Sequence, residues 1–206
     1  MLQTSEKTYK LANHATCCVA GLTADANILI DQARLRSGRY QFQYGESIPM
    51  EQLVEYVCNH KQSYTQYGGL RPFGVAFLFA GYDDEHGYQL YQSDPSGNYS
   101  GWKATVIGAN NSSGKSLLKN DYDPDGDGTM PDMVTALKLA VKVLNKTMDG
   151  ATASTSAEKM ELFTMTRDAN GEFLHKILVK DEVQKIVDEV AAESDVEMAG
   201  GAESSQ

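Results

Sequence analysis

Two stretches hold residues whose types and spacing can do chemistry. Residues 121–132, DYDPDGDGTMPD, set Asp121, Asp123 and Asp125 at positions one, three and five of an EF-hand-like calcium frame. Gly126 falls where such a loop turns, and Asp132 where a bidentate Glu closes it. The frame has faults. Pro124 interrupts it, Gly128 replaces an apolar anchor, and Asp132 is one methylene short of Glu. Asp, Gly and Pro are also plain turn chemistry, so an acidic linker between two helices is the expectation, with no metal. Residues 109–116, ANNSSGKS, nearly spell a phosphate loop through Gly114, Lys115 and Ser116. Ala109 stands where the first glycine belongs, and Asn110, Ser112 and Ser113 serve equally well as helix caps. Nucleotide binding through Lys115, or a stand-alone hydrolase, is the alternative function.

Other constellations are absent. His14, His60, His86 and His175 are scattered, with no HExxH, and no GxSxG occurs. Cys17 and Cys18 are neighbours, which disfavours the usual bridge geometry, and with Cys58 they show no zinc spacing. Free thiols in a reducing compartment follow, and no cofactor is expected. The net charge of -10 argues against nucleic acid as a partner, because phosphates need Lys and Arg to displace counterions. No run approaches the roughly 18 apolar residues of a membrane span. The start, MLQTSEKTYK, lacks the apolar core of a signal peptide, so a cytoplasmic and nuclear location is expected.

The elements that must position any site follow from periodicity. Residues 8–20 suggest two short strands around a turn at Ala12-Asn13-His14. Thr23 can cap a helix with Asp25 in its first turn and Ile28, Leu35 and Phe42 as its stripe. Ser47 and Pro49 open a second helix carrying Leu53, Val54, Val57, Tyr64 and Tyr67. Strands are expected at 73–81, 88–93 and 102–108, helices at 110–120 and 131–148, a hairpin over 159–178 and a helix at 180–192. Residues 1–192 form one expected domain, and 193–206 an acidic disordered tail. Paired helices between groups of strands suit an α+β fold of two stacked antiparallel sheets under helical layers, not a doubly wound one.

One stretch narrows the reading. YTQYGGLRPFGVAFLFAGYDDEHGYQLYQSDPSGNYSGWKATVIG, residues 64–108, closely resembles the alpha-type subunits of the 20S proteasome. Arg71-Pro72-Phe73-Gly74 looks like their Arg-Pro-aromatic-Gly signature. Asp94-Pro95-Ser96-Gly97, then Trp102-Lys103-Ala104, looks like their next hallmark. The segments 21–34 and 136–149 resemble two family helices, and the likeness runs from about Glu6 to Val190, most similar to the third ring position.

The resemblance implies the four-layer αββα sandwich of N-terminal-nucleophile hydrolases. It implies a non-catalytic place in the heptameric alpha ring of the core that degrades ubiquitin-marked proteins. Catalytic beta-type relatives use a processed N-terminal threonine, and Thr4 after Met1 offers no such nucleophile. The implied partners are neighbouring alpha subunits, beta-ring subunits, regulatory particles and assembly chaperones. Regulator tails enter pockets between alpha subunits, where a lysine pairs with the terminal carboxylate. Lys7 matches that lysine, and Gly21 and Leu22 match the backbone beside it. The family's first helix and first two strands, with the gate-forming tail, have no counterpart in these residues. A sandwich without them is expected to expose sheet edges.

Overall fold

The computed structural model describes residues 7–123, 126, 128–148 and 157–203. The fold is α+β with antiparallel sheets, consistent with the N-terminal-nucleophile hydrolase type. Within the range expected to be one domain, contacts gather into two units, Met1–Gly108 and Ala109–Gln206. Each closes its own apolar core.

In the first unit, β1 (Thr8–Ala12) and β2 (Ala15–Gly21) form the expected hairpin. β3 (Val75–Asp83), β4 (Gly87–Ser93) and β5 (Tyr99–Gly101) complete a five-stranded sheet in the order β1-β2-β3-β4-β5. Burial along β3 has period two, with Val75, Phe77, Phe79 and Gly81 inward. The third strand expected at 102–108 is not there. β5 ends at Gly101, and one further bond, Trp102 N–H to Leu90 O at 2.8 Å, finishes the ladder. The β-branched run Thr105-Val106-Ile107 pairs with no strand among the described residues, and Thr105 bonds the Gln92 side chain at 2.7 Å.

Helices α1 (Thr23–Tyr44) and α2 (Met50–Gln66) cover the inward face. Leu53, Val54 and Val57 are buried as their spacing requires. Tyr64 packs against Phe73 with tilted rings, centroids 4.5 Å apart, whereas Tyr67 lies just past the helix and is exposed. The α1 stripe is corrected. Ile28, Leu35 and Phe42 face solvent within this chain, Phe42 at 95% exposure, while Ala26, Leu29, Ile30 and Ala33 face the sheet. Two alanines on the inner side let the helix approach closely, so the smaller apolar face wins the core position. Thr23 is also not the cap: Leu22 holds that position, without a side-chain cap bond.

In the second unit, α3 (Asn111–Asp121), α4 (Met133–Thr147), the β6–β7 hairpin (Phe163–Arg167, Phe173–Ile177) and α5 (Lys180–Glu203) follow the expected order. Val141, Leu162, Val183, Val187 and Val190 form its core. On α4, Met133 and Val134 are exposed, while Val141 and Val143 are buried. α5 runs past the expected end at 192, through residues first assigned to a disordered tail. Ala and Glu in that stretch are strong helix formers and outweigh its lack of core-forming residues. Residues 204–206 lie outside the described residues.

One buried cation is unexpected. Lys61 of α2 is fully buried, and its Nζ donates to Ser93 Oγ at 3.1 Å and lies over the Phe77 ring at 5.2 Å. Burial pulls its ammonium down to about 8 from the ordinary 10.5 and pushes the neighbouring Cys58 thiol up to about 11. A lysine depressed in the folded state costs stability while both states hold the proton. That cost fades as pH rises from about 8 toward 10.5, because only the unfolded chain then stays protonated. The melting midpoint of the wild-type chain should therefore rise relative to Lys61→Met across that interval, as measured by thermal unfolding against pH. Parallel profiles would show that the ammonium is not depressed.

Candidate functional site

The register gathers most of the sequence-selected residues, all but Trp102 and Lys103, at one end of the first sheet. Thr8 pairs with Cys18, Cys18 with Leu78, and Leu78 with Gln92, so one row crosses four strands. Lys7, Gly21, the Arg71–Gly74 turn before β3 and the Asp94–Gly97 turn after β4 all leave from that end. Lys7 is exposed, and its carbonyl accepts the Val19 N–H at 2.9 Å, which sets it two residues along the ladder from Gly21. Ser5 and Glu6 lie outside the described residues, as does Thr4.

The Gly21–Leu22 corner is held by a part of the chain some fifty residues away. The Asp25 carboxylate, 8% exposed, receives Arg71 Nη1 at 2.6 Å and Nη2 at 2.8 Å in a two-pronged ion pair. Its Oδ2 also accepts the Gly74 N–H at 2.9 Å, and the Gly74 carbonyl accepts the Leu22 N–H at 2.9 Å. Backbone contact leaves no room for a side chain on Gly21, and one on Gly74 would have to push the Leu22 side chain aside. Gly21 has φ +120°, and a Cβ on it would stand 2.3 Å from Gly74 O; one on Gly74 would meet Leu22 Cδ1 at 2.8 Å. Leu22 therefore offers the site an apolar side chain, 55% exposed, and not its N–H. Arg71 and Pro72 are exposed while Phe73 is buried against Tyr64 and His60.

The second turn is anchored separately. Asp94 accepts the Ser96 N–H at 2.8 Å, and Gly97 N–H closes the turn on Asp94 O at 3.1 Å. Gly97 has φ +89° and lies on α2, where a Cβ would stand 2.4 Å from Cys58 O. Pro95, Trp102 and Lys103 are exposed. Pro95 and its turn share the end of the sheet with Lys7, on the α2 side, whereas Trp102, bonded to Leu90 O, lies in the row of Lys10, Thr16 and Ala80, away from that end. His14, scattered in sequence, has a structural place: its Nε2 bonds Ile48 O at 2.7 Å and burial lowers its pKa, so the neutral ring donates.

Neither tempting motif assembles. Helix α3 begins at Asn111, and Gly114 N–H already bonds Asn110 O at 3.2 Å. A phosphate loop needs that backbone outside a helix, in front of a parallel strand; Lys115 instead sits within α3, in a chain whose sheets are antiparallel. In the acidic frame, Asp121 pairs with Lys142 at 3.1 Å and Asp132 caps α4, accepting the Thr135 N–H at 2.8 Å. Asp123 accepts the Gly128 N–H at 3.0 Å, and Pro124 and Asp125 lie outside the described residues. Among the described residues no group of three His, Cys, Asp or Glu converges on a metal position.

Sequence reasoning placed Asp25 only in the favourable first turn of α1 and missed its partner. The available signal was a lone Arg opening the loop before an apolar strand, far from any other acid. Arg71 holds the Asp25 carboxyl down at about 2, through its hydrogen bonds first and the Gly74 N–H second. A depressed carboxyl stabilises above its ordinary value of 3.8, and that stability is lost as pH falls toward about 2. Acid unfolding of wild type should be steeper over this interval than that of Asp25→Asn, followed by circular dichroism; equal slopes would refute the clamp. Gly21→Ala should destabilise by ~2 kcal/mol or more, read from denaturant midpoints, because strained backbone and collision add.

Comparison with known proteins completes the picture. The family model described as proteasome subunit matches residues 1–164. Proteasome subunit alpha type-4 of Spinacia oleracea is 50% identical over 192 residues, 92% of this chain and 74% of that protein. Proteasome subunit alpha type-4-A of Arabidopsis thaliana is 56% identical over 165 residues, 79% of this chain and 63% of that protein. Proteasome subunit alpha type-4 of Dictyostelium discoideum is 49% identical over 194 residues, 94% of this chain and 74% of that protein. With the Arg-Pro-Phe-Gly and Asp-Pro-Ser-Gly turns set at one end of an antiparallel sheet, the chain belongs to the proteasome subunit family.

Proposed function

We propose that this chain is a structural, non-catalytic subunit of the heptameric alpha ring of the 20S proteasome core, of the alpha type-4 kind. The observation that carries this reading is identity near one half, over nine-tenths of the chain, to alpha type-4 subunits of a plant and a slime mould. Its partners are neighbouring alpha and beta subunits, and with them regulatory particles and assembly chaperones. The free cysteines Cys17, Cys18 and Cys58 suit the reducing cytoplasm and nucleus.

Within that role, Lys7, Gly21 and Leu22 form this subunit's share of a pocket for regulator C-terminal tails. The chemistry supports it. An exposed ammonium beside a fixed backbone corner suits a terminal carboxylate, and the Leu22 side chain suits an apolar residue next to it. Nucleotide binding through Lys115 has no support from the helix that contains it.

The test is co-assembly. An affinity-tagged copy expressed in its own cells should bring down a full set of alpha and beta subunits with peptidase activity, while the chain alone hydrolyses no peptide. Recovery of the chain without other subunits would overturn the ring reading.

A further inference from the structure

We propose that Asp25, acting with Arg71, is a positioning residue for the carboxylate pocket; the inference rests on the docking reading given above. The start of α1 does not hold itself. Leu22 is its cap and offers no side-chain cap bond. The corner that carries Gly21 and Leu22 is fixed from outside by Gly74, through the Leu22 N–H to Gly74 O bond. Gly74 is fixed in turn by Asp25 Oδ2, and Asp25 by both guanidinium nitrogens of Arg71. Asp25 thus ties both ends of the signature, Arg71 and Gly74, and Arg71 Nη1 also reaches Pro72 O at 3.1 Å within the loop. The order is closed: Asp25 stands one turn into the helix whose first residue it helps to place.

This arrangement makes binding of a terminal carboxylate depend on residues that do not touch it. A preformed corner lowers the ordering cost of binding, and a loose one restores it. Charge alone predicts something different. Removing the Asp25 charge would strengthen capture of an anion, and removing the Arg71 charge would weaken it. Positioning predicts that both changes weaken capture, because either one frees Gly74 and with it the Leu22 backbone. Among the two, Arg71 is 68% exposed and reachable by substitution at little packing cost.

The experiment uses assembled particles from cells supplying this chain as wild type, Lys7→Ala, Asp25→Asn, Arg71→Ala or Arg71→Lys. The probe is a synthetic glycine-serine peptide ending in a benzophenone amino acid and leucine, as free carboxylate and as amide. Photolabelling of this chain is followed by mass spectrometry against peptide concentration. Wild type should label with the carboxylate and hardly with the amide. Asp25→Asn and Arg71→Ala should each raise the half-saturating carboxylate concentration by about ten-fold, the scale of one good charged contact, with amide labelling unchanged. Arg71→Lys, which cannot span both oxygens, should fall between them and wild type.

Three results would overturn the proposal. If Lys7→Ala weakens labelling while Asp25→Asn and Arg71→Ala match wild type, the pocket stands and the positioning role does not. If Asp25→Asn tightens binding and Arg71→Ala loosens it, charge explains the effect. If Lys7→Ala changes nothing, or carboxylate and amide label alike, the docking reading itself fails. Should Asp25→Asn or Arg71→Ala particles not assemble, Arg71→Lys decides: wild-type labelling refutes positioning, and a measurable loss supports it.

Discussion

A single carboxylate holds the end of the first sheet that carries Gly21 and the Arg71–Gly74 loop. Asp25 is almost fully shielded, yet it is satisfied by two guanidinium N–H groups and one backbone N–H. Leaving such a group without partners is costly, so helix α1, the loop before β3 and the end of β2 must meet in one geometry. The glycines at 21 and 74 follow from that demand. Gly74 offers both its N–H and its carbonyl inside the corner, Gly21 has no room for a Cβ against Gly74 O, and a Cβ on Gly74 would displace the Leu22 side chain. The Phe73 ring, turned inward by the same loop, ties the corner to α2 through Tyr64.

The second half of the signature obeys similar logic with different partners. The Asp94–Gly97 turn closes on itself and then lies on the α2 backbone beside Lys61. Two anchored turns on one sheet end make a firm platform from loops, which are usually the mobile parts of a domain. Firmness is what the proposed docking of a flexible tail would draw on.

The α+β class and most elements were legible in the sequence, for reasons visible in single residues. Val75, Phe77 and Phe79 alternate in burial as a half-buried strand must, and Asp168–Gly171 supplies the hairpin turn. The gathering of Lys7, Gly21 and Leu22 near the first signature was accessible only through family likeness, because nothing in their spacing announces a shared site. The failures share a cause. Ile28, Leu35 and Phe42 made a convincing stripe, but periodicity cannot tell which of two apolar faces turns inward, and Ala26 and Ala33 decided that by size. Residues 102–108 looked like a strand because strand propensity says nothing of whether a neighbour exists to pair with. Lys61 was unreadable, since a lysine at a core position carries no sequence mark, and Asp25–Arg71 is a contact across 46 residues.

The former calcium frame has a use of a different kind. Asp121 is tied to Lys142 at the end of α3, and Asp132 finishes α4 with its own cap. Tyr122 N–H closes α3 on Leu118 O at 3.0 Å, so each helix end has bonds of its own. Lengthening a connection whose ends are already fixed costs only about 0.6 kcal/mol per doubling. The stretch between Tyr122 and Asp132 is therefore the natural place to graft an epitope or fluorophore into the chain while both helix ends keep their bonds.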